Sequence, residues 1–479
     1  MKKSCIFLSI LLALLPMGVS ANSAQTYFQG VSSTGTVVSG EHSPLTIEQE
    51  RLTFDLQEFP ASNYREAASY LAYSGKVTAE YTIHNPSDTT VTATLVFPFG
   101  QTPSYGYDYD PETEKRVFGV DGEKYEIRLN DKPIESTLRH TLSYPGERFS
   151  LEKDLSLLMQ EDTQDSFWRP DLPVTKYSWS IDDIDEEALS AARLGFCWAG
   201  DGTDRKLLLE EQSGGRYDTE ECAIHRWVEN GDIITLYVFG EPLTEELHWY
   251  TENGSENTPF AYTLSSLGTE TMTYADFVFQ NYAETDGILR KDWYYAFTQS
   301  LKDAESFCGI LGNLLPNNTL TPQDMLRWKE YEITVGAGET VVNTVTVPMY
   351  PAIDLDYDPP IYTYTYLLSP AQTWADFGTL DIAIHTPYFM IESGTQNFTQ
   401  TETGYTLSLT GLPKEELTFT LSQAENPKMP AAELHQILHL ITIGGGLLIG
   451  AVFLRMYHGK RKKKREQEKQ TTTLQKKEK

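Results

Sequence analysis

"KVTAEYTIHNPSDTTVTATLVFPFG", Lys76–Gly100, carries the pattern that sets the fold class. Val77, Ala79, Tyr81 and Ile83 alternate with Thr78, Glu80, Thr82 and His84, the period of two that a strand with one buried face requires. Asn85-Pro86-Ser87-Asp88 interrupts it, because proline fixes φ and lacks an amide donor while the short polar side chains bond their own backbone. Val91, Ala93, Leu95 and Phe97 resume the alternation until Pro98 and Gly100 stop it. The stretch predicts a β-hairpin whose two strands face one core. His84 falls on the polar face beside the turn with no second His or carboxylate motif, so it reads as a surface residue and not as a ligand or base.

The same alternation recurs in "KYEIRLNDKPIES", with an Asn130-Asp131 turn, and in "DIITLYVFG", "KEYEITV", "TVVNTVTVPMY", "TLDIAIHT" and "YTLSLTGLPKEELTFTL". These read as antiparallel sandwich strands. Helical spacing appears in fewer places. "IDDIDEEALSAARLG" begins acidic and ends in Arg193 before Gly195, which suits a helix dipole and stop signal. From Asp286 to Cys308, Leu289, Trp293, Phe297, Leu301, Ala304 and Cys308 recur every three or four residues. Thr273 and Asp276 are spaced as a capping pair for a shorter helix, and "TPQDMLRWK" predicts another.

The fold class expected is therefore mainly β with helical insertions: two β-sandwich-like regions joined by a helical segment, followed by one transmembrane helix. The divisions are a signal peptide at 1–21, a loosely ordered Ser-, Thr- and Gly-rich segment at 22–45, a β-rich domain with helical insertions at 46–270, a helical segment at 271–329, a membrane-proximal sandwich at 330–426, a span at 437–454 and a basic tail at 455–479.

The end assignments rest on simple physics. Lys2 and Lys3 precede an apolar run from Ile6 to Val19 and a small-residue site at Val19-Ser20-Ala21, the layout of a secretory signal. Ile437 to Leu454 holds no formal charge and would reach about 27 Å as a helix, near the hydrocarbon thickness of a bilayer. From Arg455 onward eleven Lys or Arg stand against three Glu, a cluster that stays cytoplasmic and can meet anionic lipid headgroups. The expected topology is a single pass with the N-terminal bulk outside the cell and membrane lipid around the C-terminal helix. Gly446 and Gly450 form a GxxxG in the span, a candidate packing face for self-association.

The whole chain carries 38 basic and 68 acidic residues for a net charge of −30, and without its basic ends residues 22–454 stand near −40. A field of that sign repels nucleic acid and excludes it as a partner. Cys197, Cys222 and Cys308 remain after signal removal; the nearer pair, Cys197 and Cys222, is the disulfide candidate, with Cys308 expected as a buried free thiol.

The sequence has no serine-hydrolase elbow, zinc-protease helix, phosphate loop or dinucleotide fingerprint, so no catalytic residue is assigned. Cys222 and His225 have a metal-like spacing without a second pair to complete a site, and read better as a half-cystine beside a surface His. No cofactor is expected, save that "DYDPETE" from Asp108 and "DLDYDP" from Asp354 are acidic enough to consider for Ca²⁺. In "PPIYTYTYLLSPAQTWADFG", a strand would put Tyr362, Tyr364 and Tyr366 on one face with Trp374 following. Exposed, those rings are a binding surface for a glycan or protein; covered by another sheet, they are core.

The signal peptide, "VTAEYTIHNPSDTTVTATLVFPF", "YTYTYLLSPAQTWADFGTLDIAIHTPYF" and the basic-tailed span together resemble uncharacterised membrane-anchored surface proteins of Gram-positive bacteria. The first of these blocks also resembles the opening hairpin of vault/inter-alpha-trypsin-type sandwich domains. The second likeness implies a sandwich, and neither brings a functional residue. Leu412-Pro413 is followed by Lys414, not by the rest of a sortase signal, so covalent wall attachment is not expected. The function expected is a non-enzymatic binding or scaffold ectodomain of the cell envelope, its partner an envelope protein or glycan. The alternatives are a glycan-acting extracytoplasmic hydrolase whose carboxylates are scattered in sequence, and an accessory or sensor subunit of a membrane complex.

Overall fold

The computed structural model describes residues 33–34, 37–39, 43–57, 75–101, 107–110, 115–118, 125–144, 149–159, 166–184, 193–198, 204–217, 222–242, 247–250, 262–280, 282, 287–312, 325–394 and 397–429. The signal peptide, the predicted span with Gly446 and Gly450, and the basic tail lie outside the described residues. Among the described residues no helix is long and apolar enough to cross a membrane.

The chain is mainly β, built as a sandwich with a second β-rich unit inserted into it. One side of the sandwich is an eight-stranded sheet in the order Thr399–Thr401, Gly404–Thr410, Phe377–His385, Thr46–Asp55, Gly75–His84, Thr340–Met349, Glu126–Leu129 and Lys132–Pro133. Its pairings are antiparallel except between Phe377–His385 and Thr46–Asp55. Two smaller sheets contribute to the same core. One carries Ile361–Leu367, Leu417–Ser422 and Phe389–Glu392; the other carries Thr137–Leu142, Met325–Val335 and Val91–Gln101. Residues of all three sheets, among them Phe54, Tyr81, Leu95, Phe97, Ile333, Tyr364, Ile382 and Phe419, pack into one continuous apolar cluster.

The predicted hairpin is corrected by this arrangement. Gly75–His84 pairs with Thr340–Met349 and Thr46–Asp55, whereas Val91–Gln101 pairs with Met325–Val335. The two strands do face one core, but from different sheets, and the turn between them is an arch. Asn85 holds it. Its fully buried side chain donates to the carbonyls of Thr89 at 2.8 Å, Val335 at 3.1 Å and Gly336 at 3.0 Å, while its Oδ1 accepts from the Ser87 amide and hydroxyl. The link from Val335 to Thr340 makes the reverse crossing, and the Asn85 amide donates to the Glu339 carbonyl at 2.9 Å. One amide side chain thus ties two neighbouring arches together.

The segment expected to be loosely ordered at 22–45 contains two short strands. Ser33–Thr34 pairs with Ile361–Leu367, and Val37–Ser39 pairs with Val91–Gln101. Unpaired sheet edges present rows of backbone donors and acceptors, and these residues satisfy part of both.

The insert leaves and re-enters at one place, since Leu142 and Met325 are directly opposed in the ladder of Thr137–Leu142 with Met325–Val335. Inside it, one sheet runs Arg205–Leu209, Ile233–Gly240, Pro173–Asp182 and Thr263–Thr273, and a second runs Gly214–Tyr217, Cys222–Trp227, Arg193–Trp198 and Leu247–Tyr250. Leu194, Phe196, Ile224, Leu207, Leu236 and Val238 fill the space between them. The other face of the first sheet packs, through Val174, Leu208, Tyr237 and Phe239, on the helices Tyr274–Phe279 and Arg290–Ala304. Trp293, Phe297, Leu301 and Ala304 are buried at the spacing read from sequence, and Thr273 with Asp276 forms the predicted capping box. The cores do not follow the boundaries drawn at 270 and 330, because strands from 46–101 and from 325–421 share sheets and one interior.

Two expected helices meet strands instead. Met325–Val335 is one strand, paired on one side along Leu326–Val335 and on the other along Met325–Glu330, and that pairing overrides the helical spacing of "TPQDMLRWK", whose residues 321–324 lie outside the described residues. Arg193–Trp198, expected to end a helix, is a strand between two others, while the body of that predicted helix at 185–192 lies outside the described residues.

Candidate functional site

The tyrosine stripe is core, not a binding face. Tyr362, Tyr364, Tyr366 and Trp374 retain 1%, 1%, 0% and 6% of their exposure. The Ile361–Leu367 strand turns this face to the eight-stranded sheet, so Tyr364 stacks on Phe419 at 5.4 Å and Tyr366 meets Phe54 edge-on at 5.8 Å. Rings that lose this much water contribute through packing.

Beneath Tyr366 lies the buried carboxyl of Glu50. A bulge at Glu48 shifts the phase of Thr46–Asp55, so Glu50 joins Leu52 and Phe54 on the inner face. Gly378 on the neighbouring strand permits it, since a Cβ there would sit 2.2 Å from the Glu48 carbonyl oxygen. The Tyr366 hydroxyl donates to Glu50 Oε1 at 3.2 Å and is itself 3.2 Å from the Tyr81 hydroxyl. Burial raises the Glu50 pKa to about 7 against the partial relief of the two phenols, and Oε2 has no hydrogen-bond partner among the described residues.

A second polar cluster joins the sandwich to the insert. The Arg139 Nε–H donates to both Asp292 oxygens, at 3.0 and 3.2 Å; its other nitrogens reach Glu330 and the Leu158 carbonyl. The His140 amide donates to Asp292 Oδ2 at 2.9 Å. The His140 ring is held neutral by burial, reinforced by the charges of Arg327, Arg139 and Lys329, with its pKa down near 3. Its Nδ1 has no hydrogen-bond partner among the described residues, and it lines a cavity of about 10 Å³ with Asp292, Tyr295 and Gln299, room for about one water. Such a site fastens two units.

The cysteine expectation is corrected as well. Cys222 is bonded to Cys308, across a sequence separation of 86. The register sets Cys197 opposite Ala223 and Trp198 opposite Cys222. Cys222 points into the insert core against which Cys308 packs, and Cys308 is no free thiol. His225, expected at the surface, is 1% exposed. Among the described residues no group of three or more His, Cys, Asp or Glu is arranged to hold a metal. Of the two acidic runs considered for Ca²⁺, residues 354–359 are described, with the Asp356 amide turned onto Asp354 Oδ1 at 2.9 Å; in the other, 111–114 lie outside the described residues.

A polar and aromatic cluster, exposed at its Trp227 end, sits on the second sheet of the insert. Its strands bury Leu194, Phe196, Cys222 and Ile224 inward, so the intervening positions Arg193, Gly195, His225 and Trp227 share the opposite face. The Arg193 guanidinium lies 4.0 Å over the Trp227 ring, whose side is open to solvent with Trp227 38% exposed. Glycines make room for the cluster. A Cβ on Gly214 would lie 2.6 Å from the His225 ring and 3.3 Å from Arg193 Nη1, and one on Gly195 would lie 2.7 Å from His225 Cβ. The pKa of His225 falls to about 4, first through burial and then through the Arg193 charge. Its neighbour Arg226 contrasts with Arg193: it is closed off by Asp232, Glu211 and the carbonyls of Trp227 and Ile233. Arg193 has no carboxylate partner among the described residues, and its buried Nε–H has no acceptor there.

Helix reasoning hides this cluster, because Arg193 closes a helix in that reading. The signal is the apolar alternation of Leu194, Phe196 and Trp198 in "RLGFCW", answered by "CAIHRW" on the strand it pairs with.

No family model and no curated protein matches the sequence. Among solved structures, a Legionella pneumophila protein proposed to bind nutrients superposes with a TM-score of 0.32 and 8% identity, over 83% of this chain and 72% of that one. At that level the likeness assigns neither fold nor function.

Proposed function

We propose that the chain is an exported, single-pass membrane-anchored ectodomain that binds a protein or glycan of the cell envelope or serves as a scaffold there. The observation that carries the reading is the Cys222–Cys308 cross-link, which fastens a strand to the segment beyond the Arg290–Ala304 helix in the interior of the insert. Disulfides persist in oxidising compartments and are rare in reducing ones. The apolar run near Met1, the uncharged stretch at 437–454 and the basic residues beyond it agree with export ahead of one anchor. The strongly acidic body suits solubility at a cell surface. Binding is favoured over a purely structural role by the Arg193–Trp227 cluster, which faces outward, whereas the Arg139 and Glu50 clusters are sealed inside and act through packing.

The test is protease applied to intact cells, with the soluble body then offered envelope polysaccharides and membrane extract. The expected result is loss of nearly all the mass with a protected basic stub, and selective retention of one envelope component by the body. Protection of the bulk contradicts the topology, and turnover of a glycan without retention contradicts the binding role.

A further inference from the structure

We infer that the outward face around Arg193 and Trp227 is a binding site for a carboxylate-bearing saccharide. The inference rests on the ectodomain reading and names the ligand class for it.

Three observations converge on that chemistry. The first is the stack itself. The Arg193 guanidinium carbon lies 4.0 Å from the Trp227 ring centre, and a guanidinium carries its N–H groups along its rim, the arrangement that meets both oxygens of a carboxylate at once. The second is charge. In a body with a large excess of Asp and Glu, the neighbouring Arg226 is closed by two carboxylates while Arg193 has none among the described residues, and its Nε–H is desolvated without an acceptor. The third is shape. Gly195 and Gly214 let His225 and Arg193 pack close to the sheet, and beside them Trp227 presents 38% of its surface. An exposed indole offers a flat apolar platform for the C–H face of a pyranose ring, while the guanidinium rim takes the acidic group.

The acidic body repels anions at long range, but at physiological salt that field decays within roughly 8 Å, so short-range pairing decides occupancy. A peptide carboxylate would satisfy the rim and leave the indole unused. A sugar acid uses both.

The full-length chain in detergent micelles is titrated calorimetrically with oligogalacturonate, with neutral oligogalactan and with polyglutamate, alongside Arg193→Gln, Arg193→Lys and Trp227→Ala variants. Near-ultraviolet circular dichroism and the intact Cys222–Cys308 bond report folding of each variant. The expected result is saturable binding of oligogalacturonate alone, weakened at least tenfold in Arg193→Gln and in Trp227→Ala. Arg193→Lys, which keeps the charge and loses the planar fork, is expected to fall between wild type and Arg193→Gln. No binding of oligogalacturonate by wild type, unchanged affinity in Arg193→Gln, or equal binding of polyglutamate overturns the inference. If wild type and Arg193→Gln retain the same envelope component, this site is wrong and the ectodomain reading stands.

Discussion

Arg139 and Asp292 form the bond that fastens the insert to the sandwich: the guanidinium Nε–H is 3.0 and 3.2 Å from the two carboxylate oxygens, and the residues keep 5% and 2% of their exposure. One sits on the strand that leads into the insert, the other on the Arg290–Ala304 helix. Removing one partner strands a charge in the interior. Asp292→Leu is expected to lower stability by about 4 kcal/mol, and Arg139→Met with Asp292→Leu by clearly less than that single change. Urea unfolding of the four corners of this cycle checks it; additive losses would mean that the pair is not coupled.

Glu50 predicts a pH dependence of opposite sign to the usual carboxylate. Its pKa is raised from 4.5 to about 7 in the folded chain, so the folded state holds the proton more tightly than the unfolded one. The associated stability is fully present below pH 4.5 and is lost as the pH rises through 7. Between pH 5 and 8 the loss is on the order of 2 kcal/mol. Glu50→Gln, which keeps the shape and removes the titration, is expected to flatten that part of the stability profile. A variant whose profile parallels wild type from pH 5 to 8 would show that Glu50 is not the group responsible.

The Cys222–Cys308 bond closes a loop with a sequence separation of 86, for which chain entropy assigns about 4.6 kcal/mol of stabilisation. Cys222→Ser, Cys308→Ser and the double variant should each lose a similar amount, because any one of them opens the same loop. Cys197→Ser should leave the bond intact. Non-reducing peptide mapping and denaturation of the four variants read this directly; a Cys197 to Cys222 peptide in wild type would refute the pairing.

Strand identity is legible in the sequence to the extent that one face of each strand is buried. Val77, Ala79, Tyr81 and Ile83, like Val341, Val345 and Val347, occupy the core at the spacing that announces them. Partner identity is not legible in the same way. A period of two says which side chains turn inward and nothing about whether the next strand lies beside the first or across the interior from it. The link from Asn85 to Thr90 is long enough to span the roughly 10 Å between packed sheets, and the Asn85 contacts to Val335 and Gly336, far away in sequence, decide the matter. The tyrosines at 362, 364 and 366 are an equally clear pattern whose exposure depends on what covers them, and that cover comes from residues more than three hundred positions earlier, such as Phe54. The Arg193 cluster stays hidden until strands at 193–198, 214–217 and 222–227 are laid side by side.

The opposition of Leu142 to Met325 has a consequence for how the chain is made. Thr46–Asp55 can pair with Gly75–His84 early, but the remaining neighbours of the first strands, in Met325–Val335, Thr340–Met349 and Phe377–His385, come from the last third of the chain, whereas the insert holds everything it needs between its two ends. Synthesis proceeds from the N-terminus, so the later-starting unit is free to fold first while the earlier strands wait in incomplete sheets. A chaperone or the export machinery has that interval in which to hold an apolar, strand-forming stretch, and the sandwich closes only when the last third of the polypeptide arrives.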